Sequence, residues 1–187
     1  MTTSVETPRA TKTTWKIDPV HTTVEFAVRH MMIATVKGHF NDVQGTVTTT
    51  GDDPTTAVVD VTIPAASINT RNEQRDTHLR SADFLDADNN PTITFKSTKV
   101  ERAGGDKLRM AGDLTIRGTT LPVVLDVTIE GRGKDPWGGE RSAFSATTRI
   151  NRQEFGLRWN QALETGGVLV ADEVKISVDV ELVKKND

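Results

Sequence analysis

Apolar and polar residues alternate along most of this chain with a period of two, the signature of strands that have one dry face and one wet face. The clearest run sets Val174, Ile176, Val178, Val180 and Leu182 against Lys175, Ser177, Asp179 and Glu181. The same alternation recurs at Val24/Phe26/Val28, Val59/Val61/Ile63, Ile93/Phe95, Leu108/Met110 running on to Leu114/Ile116, Val123/Leu125/Val127/Ile129, and Phe144/Ala146/Thr148/Ile150. With the stretch from Lys37 to Thr49 these make about eight strands. Turn residues fall between them: Gly51 to Pro54, Ala103 to Asp106, Gly131 to Gly139, and Gly166-Gly167. Such short punctuation joins hairpins rather than βαβ units. About eight antiparallel strands with one apolar face can close on themselves and so lose their exposed edges. The pattern therefore predicts a mainly all-β fold, an extended eight-stranded antiparallel β-barrel. Gly112 lies inside one strand pattern, where a glycine marks a barrel corner or a bulge.

One segment breaks the alternation. Residues 67 to 84 read SINTRNEQRDTHLRSADF. Thr70-Arg71-Asn72-Glu73 fits the capping-box pattern, in which Thr70 would accept from the Glu73 N–H while the Glu73 carboxylate returns to Thr70. A short helix is expected from about Arg71 to Arg80, with Asp76 and Arg80 spaced for an ion pair on one face and Arg71, Arg75 and Leu79 sharing another. So short and polar a helix is marginal alone, so Leu79 and Phe84 are expected to dock it on one mouth of the barrel. Arg71, Arg75, His78 and Arg80 then have two readings: a hydrogen-bonded latch on the crossover, or a site for an anionic headgroup, since the guanidinium fork suits both.

The 187 residues suit one domain, placed at residues 15–183 after a polar, unstructured tail over residues 1–14. The chain has no Cys, which excludes disulfides and thiolate metal sites. The tail carries no apolar stretch resembling a signal peptide, so a cytoplasmic location is expected. No window approaches the ~18 apolar residues of a membrane-spanning helix. The 23 basic and 26 acidic residues are interspersed, leaving no basic face for nucleic acid. Inward positions are mostly Val, Ile, Ala and Thr, with 5% aromatics and no Tyr. Two interiors are open to such a barrel: a hollow bore, or a core plugged by Phe26, Phe40, Phe95, Phe144 and Phe155. If hollow, the candidate lining is Phe26, Val28, Phe40, Ile63, Phe95, Leu114, Leu125, Phe144, Phe155 and Trp159.

Catalysis is poorly supplied. No G-x-S-x-G or phosphate-cradling glycine motif occurs, and there is no Cys nucleophile. His21 and His30 bracket a strand from opposite faces, about 30 Å apart along it, so they do not share an ion. His39 adjoins an apolar strand, and His78 has no partner at HExxH spacing. The rival reading is a metal-binding or hydrolytic protein that assembles His21, His30, His39 or His78 from distant strands. No cofactor is expected. Trp137, in DPWGGER, sits at a hairpin tip, where it is expected to fold back on the barrel rather than meet a membrane interface.

The run RDTHLRSADFLDADNNPTITF, Arg75 to Phe95, resembles the signature of the YceI-like family of bacterial polyisoprenoid-binding, lipocalin-like proteins. Trp15-Lys16-Ile17-Asp18 with His21, Phe26 and His30, then Gly38-His39-Phe40 with Gly45, then Gly112-Asp113-Leu114-Thr115-Ile116 with Gly118, then Asp135-Pro136-Trp137-Gly138-Gly139 follow in the family's order. The resemblance implies a lipocalin-like barrel with a helix at one end and an elongated apolar tunnel. It implies non-catalytic binding, storage or transport of a long-chain isoprenoid or similar amphiphilic lipid, and a homodimer. Many relatives are periplasmic, and this chain differs from them in lacking Tyr.

Overall fold

The computed structural model describes residues 9–186. Strands β1 (Lys12–Ile17), β2 (Thr23–His30), β3 (Ala34–Phe40), β4 (Gln44–Thr50), β5 (Asp53–Pro64), β6 (Ile68–Asn69), β7 (Thr92–Arg102), β8 (Lys107–Ile116), β9 (Thr119–Lys134), β10 (Glu140–Asn151) and β11 (Val170–Lys184) are joined by one α-helix, α1 (Glu73–Arg80). Hydrogen bonding runs β1-β4-β5-β7-β8-β9-β10-β11 and returns to β1, closing the sheet. Every pairing is antiparallel, as hairpin turns require.

Eleven segments trace eight strand paths. Both β1 and β2 pair with β11, Ile17 opposite Leu182 and Val24 opposite Val178, so they are halves of one kinked strand. The kink is a 3-10 turn, Pro19–His21, whose N-cap Asp18 accepts from Val20 N. Likewise β3 pairs with β2 and β4 with β1, which makes the next path. The barrel expected from the alternation is thus present, with the Lys37 to Thr49 strand interrupted between Phe40 and Gln44.

The alternation also builds the core. A large cluster includes Trp15, Ile17, Ile63, Ile93, Leu114, Phe155 and Leu182, and a smaller one joins Val100, Leu108, Val127 and Ala146. Helix α1 lies in the β5–β7 crossover, at the same end as the β2–β3 and β8–β9 turns. The β4–β5, β7–β8 and β9–β10 turns form the opposite end.

Four local expectations need correction. The helix cap is Asn72, whose side chain accepts from Arg75 N at 2.9 Å, and not Thr70. Arg71 before it has φ 63°, a left-handed backbone, so the residue after Thr70 cannot be the first of the helix. The expected Asp76–Arg80 pair does not form, because Asp76 is only 4% exposed and turned inward, and Arg80 meets Glu73 at 3.4 Å instead. Part of the tail is ordered: β1 begins at Lys12, where Lys12 pairs with Thr50, while residues 1–8 lie outside the described ones. Finally, Gly131 to Gly139 is not one turn, since β9 continues to Lys134 through a bulge at Gly131 and only residues 135–139 turn back.

Candidate ligand-binding cavity

The strands enclose a cavity of about 390 Å³ along the barrel axis. Its wall contains Phe26, Val28, Phe40, Ile63, Phe95, Leu114, Leu125, Phe144 and Phe155, nine of the ten residues read as tunnel lining. Trp159 is the exception. Its indole lies outside, edge-on to His78 with centroids 4.7 Å apart and tilted against Phe84 at 5.5 Å. Trp159 follows the last residue of the inward alternation on an irregular connection, so no strand parity directs it to the axis.

A cavity remains beside the phenylalanines, and for Phe26 and Phe95 glycine makes the room. Phe26 pairs directly with Gly38, and a Cβ at Gly38 would overlap the Phe26 ring. At Gly112 a Cβ would overlap the Phe95 ring and stand 2.6 Å from the Lys96 carbonyl oxygen. Each ring therefore occupies space over a neighbouring strand's bare backbone instead of reaching across the axis. Gly112 thus serves close packing beside a bulge in β7, where the register shifts between Ser97 and Lys99.

None of Arg71, Arg75, His78 and Arg80 lines the cavity. Arg75 donates to the Thr70 hydroxyl and carbonyl at 2.8 and 2.9 Å. Arg80 donates to the carbonyls of Ala66 and Ile68. His78 bonds Asp83 at 2.9 Å and packs edge-on to Phe84, and Arg71 is exposed. Buried Asp76 accepts from both the Thr70 N–H and hydroxyl, at 2.9 and 2.5 Å. Arg117 reaches from the β8–β9 turn to the carbonyls of Ala82 and Phe84, each at 2.6 Å. This is the geometry of a latch. It holds Leu79, Phe84 and Leu85 over the helix-bearing end of the cavity, where all three line it.

Two cavity-wall arginines were not singled out from the sequence. Arg152 is 4% exposed and donates to the carbonyls of Leu157, Trp159, Val170 and Ala171. Burial pushes its pKa down, with Asp172 opposing. Extending the alternation Phe144, Ala146, Thr148, Ile150 by one step reaches Arg152, so strand parity signals its inward direction. Arg132 lies at the opposite end. Ile129 pairs with Phe144 but Gly131 pairs with Ala143, so one extra residue shifts the parity of β9 and turns Arg132 to the inner face. Its guanidinium donates to Asp52 at 2.8 Å and Glu140 at 2.6 Å, and lies 5.1 Å from the centre of the Trp15 ring. The Arg132 hydrogen bond holds both carboxylates below their ordinary range.

The histidines do not come together. Among the described residues the group with metal-compatible spacing is Asp18, His21 and Glu181, whose candidate ligand atoms lie within 4.8 Å of one another. Arg141 already occupies it, donating to Asp18 at 2.8 Å, Glu181 at 2.6 Å and Asp135 at 3.0 Å. The His21 hydrogen bond, opposed by burial and reinforced by Arg141, pulls Asp18 down to about 2, and Asp18 in turn raises His21. A guanidinium at the centre makes this an ion-pair network that ties the β1–β2 kink to β10 and β11. The expected fold-back of Trp137 is also corrected: its side chain is 87% exposed, because the Asp135 carboxylate caps the turn by accepting from Trp137 N and Gly139 N and leaves the indole outside.

Comparison with known proteins agrees with this architecture. The YceI-like domain model matches residues 15–182. A UPF0312 protein of Pseudomonas aeruginosa is 36% identical over 173 residues, covering 91% of this chain and 87% of the relative. Among solved structures, the Campylobacter jejuni YceI protein is 34% identical with a TM-score of 0.72, covering 84% of this chain and 90% of that one. A polyisoprenoid binding domain from Saccharophagus degradans superimposes with a TM-score of 0.65 at 11% identity, covering 91% and 98%, a likeness of fold alone.

Proposed function

We propose, because the chain belongs to the YceI-like family, that its barrel binds, stores or carries a long-chain isoprenoid or similar amphiphilic lipid without catalysing a reaction on it. The observation that carries this reading is the bore, a cavity of about 390 Å³ walled by apolar side chains from all eight strand paths. Removing apolar surface from water is favourable by roughly 25 cal/mol per Å², so a chain in such a bore needs no catalytic or polar group to be held. The description of the Saccharophagus degradans domain as polyisoprenoid binding points the same way. Phe26, Val28, Phe40, Ile63, Phe95, Leu114, Leu125, Phe144 and Phe155 are the proposed tail contacts.

The test is organic extraction of the purified protein followed by mass spectrometry of the extract. One class of prenyl or long-chain amphiphile, near one molecule per chain, is the expected result. Extracts that match buffer blanks, together with failure of added farnesol to bind, would end the proposal.

A further inference from the structure

The two ends of the bore are closed by different means. At the helix-bearing end the cover is Leu79, Phe84 and Leu85, on a segment fixed by Asp76, Arg75, Arg80 and Arg117 through hydrogen bonds to main-chain groups. At the opposite end the charged groups on the wall are Arg132 and Asp52. Their strands are far apart in the closed ring: β7 and β8 separate β9 from β5 on one side, and β10, β11 and β1 separate β9 from β4 on the other. The Arg132–Asp52 ion pair therefore spans the mouth from side to side, with the Trp15 ring of a third strand beside the guanidinium. The Asp52 side chain is 81% exposed. Such a solvated ion pair is weak and readily exchanged.

From this arrangement, which rests on the lipid-binding reading above, we infer that Arg132 is the head-anchoring residue of the cavity, selecting amphiphiles that carry an anionic oxygen head, a phosphate or diphosphate, and that Asp52 is the internal carboxylate this head displaces. The guanidinium presents one nitrogen to Glu140 and another to Asp52. Glu140 is held in place by Lys184 at 3.3 Å, while Asp52 projects from a turn. An entering tail threads past Asp52 into the bore, and its head then meets the donor that Asp52 vacates, in the planar fork geometry that suits oxyanions. The bulge at Gly131 is what aims this one basic side chain inward, since without it strand parity would turn Arg132 to solvent.

The experiment compares farnesyl phosphate, farnesol and inorganic phosphate on the whole protein, reading Kd by displacement of a fluorescent fatty acid and by Trp fluorescence in a Trp137→Phe, Trp159→Phe background, where Trp15 is the remaining indole. The quantity read is the selectivity for farnesyl phosphate over farnesol. Arg132→Gln is expected to lower it at least about tenfold, the worth of a charge-assisted hydrogen bond. Asp52→Asn, which removes the competitor and leaves Arg132 in place, is expected to raise it severalfold, an outcome that misfolding does not produce. Inorganic phosphate is expected to bind far more weakly than farnesyl phosphate. Unchanged selectivity in both variants, while farnesol still binds the wild type, overturns this inference and leaves the lipid reading standing. Equal affinities for inorganic and farnesyl phosphate overturn it in favour of a free-phosphate site. Absence of farnesol binding in the wild type removes the lipid reading and this inference with it.

Discussion

Ala146 lies on β10 with its methyl group in the cavity wall, among Val100, Leu108 and Val127. Replacing it with Phe pushes a ring into the bore, roughly the bulk of one isoprene unit. The cavity of about 390 Å³ has room for roughly a dozen methylene-sized groups at ~30 Å³ each. At ~0.8 kcal/mol per buried carbon group, each five-carbon isoprene unit that enters contributes about 4 kcal/mol, close to three powers of ten in affinity. In the wild type, affinity is therefore expected to climb from geraniol to farnesol and to gain less beyond, once the walls must spread. In Ala146→Phe the climb should stop about one unit earlier, with farnesol weakened by about 10³-fold. Calorimetric titration of the alcohol series against both proteins measures this directly. Thermal unfolding supplies the matching control, because a ring placed in empty space costs little, whereas overpacking a solid core costs about 1–3 kcal/mol. An alcohol series whose affinities ignore chain length, or one that Ala146→Phe leaves unshifted, would refute the reasoning.

Gly112→Ala must displace the Phe95 ring toward the axis or push against the Lys96 carbonyl, so a loss of about 1–3 kcal/mol in urea unfolding and weaker tail binding are expected. Arg152→Ala takes their donor from the carbonyls of Leu157, Trp159 and Ala171, while Val170 O keeps Asn160; a loss of at least about 3 kcal/mol in the same assay is expected, and a change within about 0.5 kcal/mol would show that the Arg152 hydrogen bonds are dispensable. Asp18 is lowered to about 2 from an ordinary 3.8, so its contribution is full above pH 3.8 and is lost as the pH falls through 2. His21 is raised above 6.5, so its share is full below pH 6.5 and is lost as the pH rises through its folded value. Stability against pH for wild type and Asp18→Asn should therefore converge at the acid limit, and parallel curves would contradict the network.

Most of the barrel was legible because a period of two survives any turn that keeps strand parity, and the inward sets of β2, β5, β7, β8, β10 and β11 were read off directly. What was lost traces to breaks in that parity. The bulge at Gly131 reverses β9 within a stretch whose glycines read as a turn, so nothing in the alternation marks Arg132 as inward. The helix cap was misassigned because Thr70 and Glu73 satisfy a local pattern, while tertiary packing commits the Thr70 hydroxyl to buried Asp76. Whether the phenylalanines plug or line the bore was undecidable from pattern alone. For Phe26 and Phe95 it depends on the glycine that meets the ring from the neighbouring strand, and cross-strand register is set by the closed barrel rather than by neighbours in sequence.

The central claim is that the barrel is a container for one apolar chain. Native mass spectrometry of the protein before and after incubation with a prenyl alcohol tests it most directly. A one-to-one adduct, displaced by a second lipid and diminished in Ala146→Phe, is the result this account predicts. A mass that stays at that of the bare polypeptide across prenyl alcohols, prenyl phosphates and fatty acids would contradict it.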